Sequence, residues 1–108
     1  RYSGHLSRVL AFLRDNFREP ISLSDAAREA GLSSGYLSRI FRSELHSSFT
    51  HYLQRLRIQE ATRLLRRTAL PVGEVGARCG FPDHSYFTQV FRRETGHSPT
   101  EYRISRKG

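Results

Sequence analysis

The chain has 108 residues, with eighteen Lys or Arg against ten Asp or Glu, so its net charge near neutral pH is +8. This length suits one domain or two very small ones and is too short for a large enzyme that encloses its substrate. The longest apolar run, Val9–Leu13, is far shorter than the ~20 residues that span a membrane, and no signal-peptide segment precedes it. We therefore expect a soluble, cytoplasmic protein with no membrane partner.

A single cysteine, Cys79, excludes a disulfide within the chain, and no Cys or His spacing predicts a metal site. We predict no cofactor, so the stability of the fold has to come from packing. The chain begins at Arg1 and contains no Met. We interpret it as a domain taken from a longer protein.

Arginine supplies nearly all of the positive charge, with seventeen Arg and one Lys. The planar guanidinium group suits phosphate and guanine, so this composition favours a polyanionic partner. The charge is uneven, because residues 1–54 carry a net +2 and residues 55–108 a net +6. We expect the C-terminal half to bind the anion more strongly.

Apolar spacing and capping residues predict an all-α fold of seven helices. Ser22 with Asp25, and Ser98 with Glu101, have the spacing of a capping box, and Pro71 is placed to start a helix. No window alternates with the period of two that a strand requires. In chain order the predicted helices are residues 5–17, 23–30, 34–44, 49–67, 71–79, 84–95 and 99–104.

An internal repeat predicts the architecture. At an offset of fifty, residues 35–52 match 85–102 at seven positions, and at an offset of forty-nine the repeat continues upstream. We predict two helix-turn-helix subdomains, residues 1–48 and 68–108, joined by a long linker helix, residues 49–67. The identical pairs are Tyr36/Tyr86, Phe41/Phe91, Arg42/Arg92, Glu44/Glu94, Ser48/Ser98, Thr50/Thr100 and Tyr52/Tyr102.

Small residues recur where two helices of such a unit would cross. Ala27 with Gly31, and Gly76 with Gly80, have the same i, i+4 spacing, and each glycine suits the tight turn that follows. One such pair is weak evidence, since any small helical hairpin can show it. Two copies in register on a basic chain predict nucleic-acid binding.

The third and sixth helices each present a polar face opposite their apolar face. Arg39 can make a bidentate contact with guanine and Gln89 with adenine. The hydroxyl groups of Ser38 and Thr88 suit several bases. Arginines deeper along these helices, and one on the linker helix, favour phosphate contacts. The predicted base-reading residues are Gly35, Ser38, Arg39, His84, Ser85, Thr88 and Gln89. The predicted phosphate contacts are Ser34, Arg42, Arg57, Arg92 and Arg93.

The length of the linker helix suggests how one molecule engages DNA. Residues 49–67 would form a rod of ~28 Å at 1.5 Å per residue, whereas one turn of B-DNA advances ~34–36 Å. A monomer could then place its two recognition helices in successive major grooves. If the rod is rigid and short, the DNA has to bend or one helix has to leave its groove.

The segment Gly80–Arg103, GFPDHSYFTQVFRRETGHSPTEYR, is similar to the signature of the AraC/XylS family of bacterial transcription regulators. The resemblance extends from the first helix to Arg103. It implies a seven-helix unit that binds double-stranded promoter DNA, usually activating transcription through RNA polymerase on the bacterial nucleoid. It also implies the base-reading positions given above, with Gly35 a departure, because a larger side chain often occupies that place. A separate sensing or dimerisation domain is implied in a missing N-terminal part.

Three alternatives remain open at this point. RNA binding is the weakest, because no aromatic stacking platform is evident among the positions expected to be exposed. A non-specific architectural DNA-binding protein would share the charge and the fold but not the base-reading faces. An enzyme is suggested only by Cys79, because some regulators that respond to DNA alkylation fuse a similar domain to a methyl-accepting cysteine. The repeat aligns Cys79 with Ala30 on the packed side of its helix, so we interpret it as a core residue and predict no catalytic site.

Overall fold

The computed structural model describes residues 2–106, which contain helices and connecting turns but no strand. This confirms the all-α prediction. The helices are α1 (Gly4–Asn16), α2 (Leu23–Ala30), α3 (Ser34–Ile40), α4 (Phe49–Arg67), α5 (Val72–Arg78), α6 (His84–Thr95) and α7 (Pro99–Arg106), with a π-helical turn (Phe41–Leu45) directly after α3.

The predicted helix limits agree with the structure to within two residues except at the end of α3. There the α-helical hydrogen bonding stops at Ile40, and the wider π-helical turn carries the chain to His46. His46 adopts the left-handed conformation, with φ 55°, which is unfavourable for a residue other than glycine. In the second copy of the repeat, α6 stays α-helical and ends at Gly96, with φ 85°.

The chain divides into two compact units, unit 1 (Arg1–Leu53) and unit 2 (Gln54–Gly108), and the division falls inside α4. Each unit has its own core. In unit 1 the buried apolar side chains are Leu6, Val9, Leu10, Leu13, Phe17, Ala26, Ala27, Ala30, Leu37, Ile40, Phe41, Phe49 and Leu53. In unit 2 they are Ile58, Ala61, Leu65, Val75, Cys79, Phe81, Phe87, Val90, Phe91 and Tyr102. Thus α4 contributes core residues to both units.

The sequence repeat is also a repeat of contacts. In unit 1 the ring of Phe41 meets that of Tyr52 edge-on at 5.6 Å, and in unit 2 Phe91 meets Tyr102 edge-on at 5.4 Å. In each motif, the turn after the first helix contains an equivalent backbone hydrogen bond that closes the end of that helix. The amide of Leu32 donates to the carbonyl of Ala27 at 2.8 Å, and that of Phe81 to Gly76 at 2.9 Å.

Both predicted capping boxes are present. The Ser22 hydroxyl accepts from the Asp25 amide at 3.1 Å while the Asp25 carboxylate accepts from the Ser22 amide at 2.9 Å. Ser98 and Glu101 repeat this exchange at 3.1 and 2.8 Å. The backbone hydrogen bonds from Ser22 and Ser98 lower the pKa values of the Asp25 and Glu101 carboxyl groups.

Candidate nucleic-acid interface

The exposed face of α3 contains the residues predicted to read bases in unit 1. Leu37 and Ile40 are buried, so Gly35, Ser38 and Arg39 lie on the exposed side. The Arg39 guanidinium lies over the ring of Tyr36, 5.8 Å from its centroid. A side chain at position 35 would begin 3.8 Å from Nη1 of Arg39. The glycine therefore leaves room beside Arg39 for another molecule.

The exposed face of α6 is built in the same way. The Asp83 carboxylate caps the helix by accepting from the amides of Ser85 and Tyr86 at 2.9 and 3.3 Å. Because Phe87, Val90 and Phe91 are buried, the predicted base-reading residues are on the opposite side. His84, Ser85 and Gln89 are exposed, and Thr88 is half-buried.

Thr88 differs from its neighbours in how its hydroxyl is used. Its Oγ1 donates to the His84 carbonyl within α6 at 3.1 Å. With its proton committed to the helix backbone, the hydroxyl has a lone pair to offer to a base. It can accept from the amino group of adenine or cytosine while keeping this bond.

Three of the predicted phosphate contacts are accessible and weakly held. Arg42 is exposed, and Arg92 is 4.0 Å from the Glu101 carboxylate with both side chains more than half exposed. Ser34 is half-buried, with its hydroxyl 3.2 Å from that of Ser24. Ion pairs at such exposed positions contribute little to stability, so the Arg92 side chain is able to turn to another anion.

Arg57 is held more firmly. The side chain is half-buried, and its guanidinium lies 6.0 Å from the centroid of the Phe81 ring. Burial lowers the pKa of the Arg57 guanidinium, an effect partly opposed by the nearby Tyr86 hydroxyl. The ordinary pKa of a guanidinium is high enough that the group remains charged at neutral pH.

Arg93 is tied to a residue that the sequence analysis missed. Its Nη2 donates to Oε1 of Gln54 at 2.6 Å, and its Nε is 3.5 Å from the Glu94 carboxylate. Nε2 of Gln54 donates in turn to the Tyr86 hydroxyl. With 7% of its surface exposed, Gln54 is the one buried polar side chain among residues 2–105, whose side chains the structure describes.

A sequence signal for Gln54 exists in the spacing of the two long helices. When α4 is aligned with α1 at an offset of forty-eight, the buried residues of the two helices match in position. In this alignment Gln54 of α4 corresponds to a leucine of α1. The aligned sets are Leu6, Leu10, Leu13 and Phe17 in α1, and Gln54, Ile58, Ala61 and Leu65 in α4.

Comparison with known proteins agrees with this architecture. Residues 26–105 match the family model described as a helix-turn-helix domain, in its AraC-type form. The chain belongs to the AraC family. The AraC-type resemblance expected from the Gly80–Arg103 segment is therefore confirmed.

Relatives and solved structures place this AraC-type chain among DNA-binding domains of transcription regulators. It is 34% identical over 106 residues to the HTH-type transcriptional activator RhaS of Escherichia coli, covering 98% of this chain and 38% of RhaS. The C-terminal domain of AraT, a response regulator from Geobacillus stearothermophilus, matches with a TM-score of 0.96 and 33% identity over 100% of this chain and 90% of that one.

A third AraC-type likeness is to the DNA-binding domain of AdpA, a global transcriptional factor whose structure contains a target DNA. The TM-score is 0.89 with 33% identity, over 95% of this chain and 93% of that one. The chain spans only about a third of the length of the curated relatives, 32% in the case of the HTH-type regulator YfiF of Bacillus subtilis.

Within residues 2–106, no helix has the length and apolar character needed to span a membrane, and no His, Cys, Asp and Glu side chains cluster as metal ligands. Cys79 has 0% of its surface exposed, which confirms its interpretation as a core residue.

Proposed function

We propose that this chain is the DNA-binding domain of a bacterial transcription regulator and binds specific DNA sequences. Its recognition helices, α3 and α6, would lie in the major groove. The observation that carries the proposal is the matching pair of exposed polar faces. In both α3 and α6, polar residues at aligned positions of the repeat lie on the exposed side of the helix. Apolar residues at aligned positions are buried on the opposite side. The net charge of +8 supplies the attraction to DNA.

Base reading is assigned to the residues on these faces. Arg39 has the fork geometry for O6 and N7 of guanine, and Gln89 has the donor and acceptor that match adenine. We assign Thr88 the role of accepting from an amino group, which it can do while its hydroxyl donates to the His84 carbonyl. The remaining base-reading candidates are Gly35, Ser38, His84 and Ser85, of which Gly35 offers a close approach of the backbone rather than a side chain.

Phosphate contacts are assigned to the residues beside the two faces. Arg42 and Arg92 are at equivalent positions of the repeat and are exposed. Arg57 is pre-positioned by its contact with Phe81, and Arg93 by its bond to Gln54. Ser34 completes the set. Such contacts fix the position of a protein on the duplex without reading its sequence.

The 19 residues of α4 support a proposal about the DNA site. At 1.5 Å per residue this helix is ~28 Å long, somewhat less than the ~34–36 Å advance of one DNA turn. We propose that one molecule places its two recognition helices in successive major grooves, with the DNA bent or one helix displaced to accommodate the difference.

The role in transcription is proposed from the relatives. RhaS is a transcriptional activator, and this chain covers 38% of its length. We propose that the chain acts within a longer regulator that also has a sensing or dimerisation domain and contacts RNA polymerase. A regulator of this kind works where bacterial promoters are, on the nucleoid in the cytoplasm.

Selection from a pool of random 30-base-pair duplexes tests the proposal. We expect enrichment of one asymmetric sequence, bound at least ~1,000 times more tightly than a scrambled duplex at physiological salt. The second candidate is non-specific architectural binding, which the charge of +8 would suffice to support. Binding of all duplexes with equal affinity and a steep salt dependence would establish that candidate instead.

Substitutions then test the assigned roles. Arg39→Ala and Gln89→Ala should each cost ~1–3 kcal/mol on the enriched duplex and relax preference at one base position. Arg92→Ala is the matched control, since loss of a phosphate contact weakens binding to all sequences equally. If Gln89→Ala leaves the ratio of enriched to scrambled affinity unchanged, α6 does not read bases through this residue.

A further inference from the structure

The hydrogen bonds around Gln54 have a fixed direction. A guanidinium group can only donate, so the Gln54 atom that faces Arg93 has to be the carboxamide oxygen. The amide nitrogen then faces Tyr86 and donates to its hydroxyl oxygen. Because that oxygen accepts from Gln54, the hydroxyl proton of Tyr86 is left to donate elsewhere.

Both ends of this chain of hydrogen bonds are at the surface of unit 2. The Arg93 side chain is 57% exposed and Tyr86 is 43% exposed, whereas Gln54 between them is buried. The two exposed ends therefore offer the O–H group of Tyr86 and the N–H groups of Arg93, whose Nε is also 3.5 Å from the Glu94 carboxylate. A pair of adjacent donors, one of them positively charged, is suited to an anion with several acceptor oxygens.

We propose that Tyr86 and Arg93 form a phosphate site for the DNA backbone and that Gln54 is the positioning residue that holds both donors. This rests on the proposed function and adds to it one DNA contact, the Tyr86 hydroxyl, and one residue that acts without touching DNA. The buried amide fixes the long Arg93 side chain before binding, so that less conformational freedom is lost when the phosphate arrives.

Unit 1 provides the contrast within the same molecule. Tyr36 occupies the position equivalent to Tyr86 and has the same exposure, 43%. The positions equivalent to Gln54 and Arg93 are occupied by Leu6 and Ser43. The hydrogen bonds that link Tyr86, Gln54 and Arg93 are therefore a feature of unit 2, which also carries most of the positive charge. A buried polar side chain where the other unit has leucine indicates a role other than packing.

The test uses the 108-residue chain, the duplex enriched by selection, and its scrambled counterpart. Affinity is measured over a series of salt concentrations, and urea unfolding is measured for each variant. Leu6 shows that leucine suits this register of the helix, so Gln54→Leu should fold with an unfolding midpoint at or above that of the unmodified chain. Tyr86→Phe removes only one exposed hydroxyl, and Tyr36→Phe is its matched control.

We expect Gln54→Leu and Tyr86→Phe each to weaken binding to both duplexes by the same factor, roughly three- to tenfold. Tyr36→Phe should change affinity less than twofold. Arg93→Gln should lower the slope of log affinity against log salt by about one. The Gln54→Leu, Arg93→Gln double variant should lose affinity by a smaller factor than the product of the two single-variant factors, since Gln54 acts through Arg93.

Three results would overturn the inference: Gln54→Leu binding within twofold of the unmodified chain, losses of Gln54→Leu and Arg93→Gln that multiply in the double variant, or equal losses for Tyr36→Phe and Tyr86→Phe. Failure of the unmodified chain to bind any duplex would instead refute the proposed function.

Discussion

Replacing Gly76 with alanine is expected to destabilise unit 2, although alanine is the better helix former. Gly76 is buried in α5 where this helix crosses α6. A Cβ built at this position would lie 2.6 Å from Cδ2 and 2.8 Å from Cγ of Phe87. Carbon atoms do not approach so closely, so either the ring or the helix has to move.

The Phe87 ring has little freedom to do so. It is fully buried, with the rings of Phe81 and Phe91 at centroid distances of 5.2 and 5.7 Å. Overpacking of a core costs ~1–3 kcal/mol, and the helix propensity of alanine recovers ~1 kcal/mol. We expect Gly76→Ala to lower the free energy of unfolding by a net amount of up to ~2 kcal/mol.

Gly73→Ala is the matched control, because it makes the same change three residues earlier in the same helix. Position 73 is exposed, and the nearest atom to a new Cβ is Nδ1 of His84 at 3.8 Å, an ordinary contact. This variant should raise the free energy of unfolding by up to ~1 kcal/mol. Urea unfolding at 25 °C, followed by circular dichroism, measures both. Gly76→Ala as stable as the unmodified chain would show that Phe87 yields and that glycine is not required there.

Three further predictions concern the remaining backbone and capping features. His46→Gly should stabilise unit 1 by up to ~1 kcal/mol in the same urea assay, since it relieves a left-handed non-glycine residue; an unchanged midpoint would contradict this. Because their folded pKa values are lowered, Asp25 and Glu101 contribute stability above pH ~4 that is lost as pH falls further. The Asp25→Asn, Glu101→Gln double variant should show a smaller loss between pH 5 and pH 3 by thermal unfolding, and an identical loss would exclude the capping boxes as its source. Without DNA, amide hydrogens of residues 72–95 should exchange faster than those of 23–44, since α5 contains two glycines and its N-cap residue, Pro71, supplies no side-chain hydrogen bond; equal protection would refute the asymmetry.

The parts of the fold that sequence predicted well depend on local chemistry. The capping boxes join residues three apart, and helix limits follow from apolar spacing and from the glycines of the turns. The repeat added long-range information, because two matching segments imply two matching sets of contacts. It supplied the helix-turn-helix architecture and the exposed faces of α3 and α6.

The parts that were missed depend on contacts between distant residues. Periodicity treats a glutamine as a solvent-facing residue, and nothing local to Gln54 reveals a partner 39 positions away in Arg93. The π-helical turn of Phe41–Leu45 has no signature either, since the matching stretch of unit 2 has equal length and stays α-helical.

Because Cys79 is buried, the rate at which its thiol is labelled can report local opening of the structure. It is the one sulfhydryl in the sequence, and it lies within the core of unit 2 beside the turn between α5 and α6. A thiol reagent can modify it only during moments when that core opens, so the labelling rate counts openings of unit 2 alone. A bound duplex held by α6 would make those openings rarer. The slowing of modification with added DNA would then measure, without any engineered probe, how strongly binding is coupled to the closed state of unit 2.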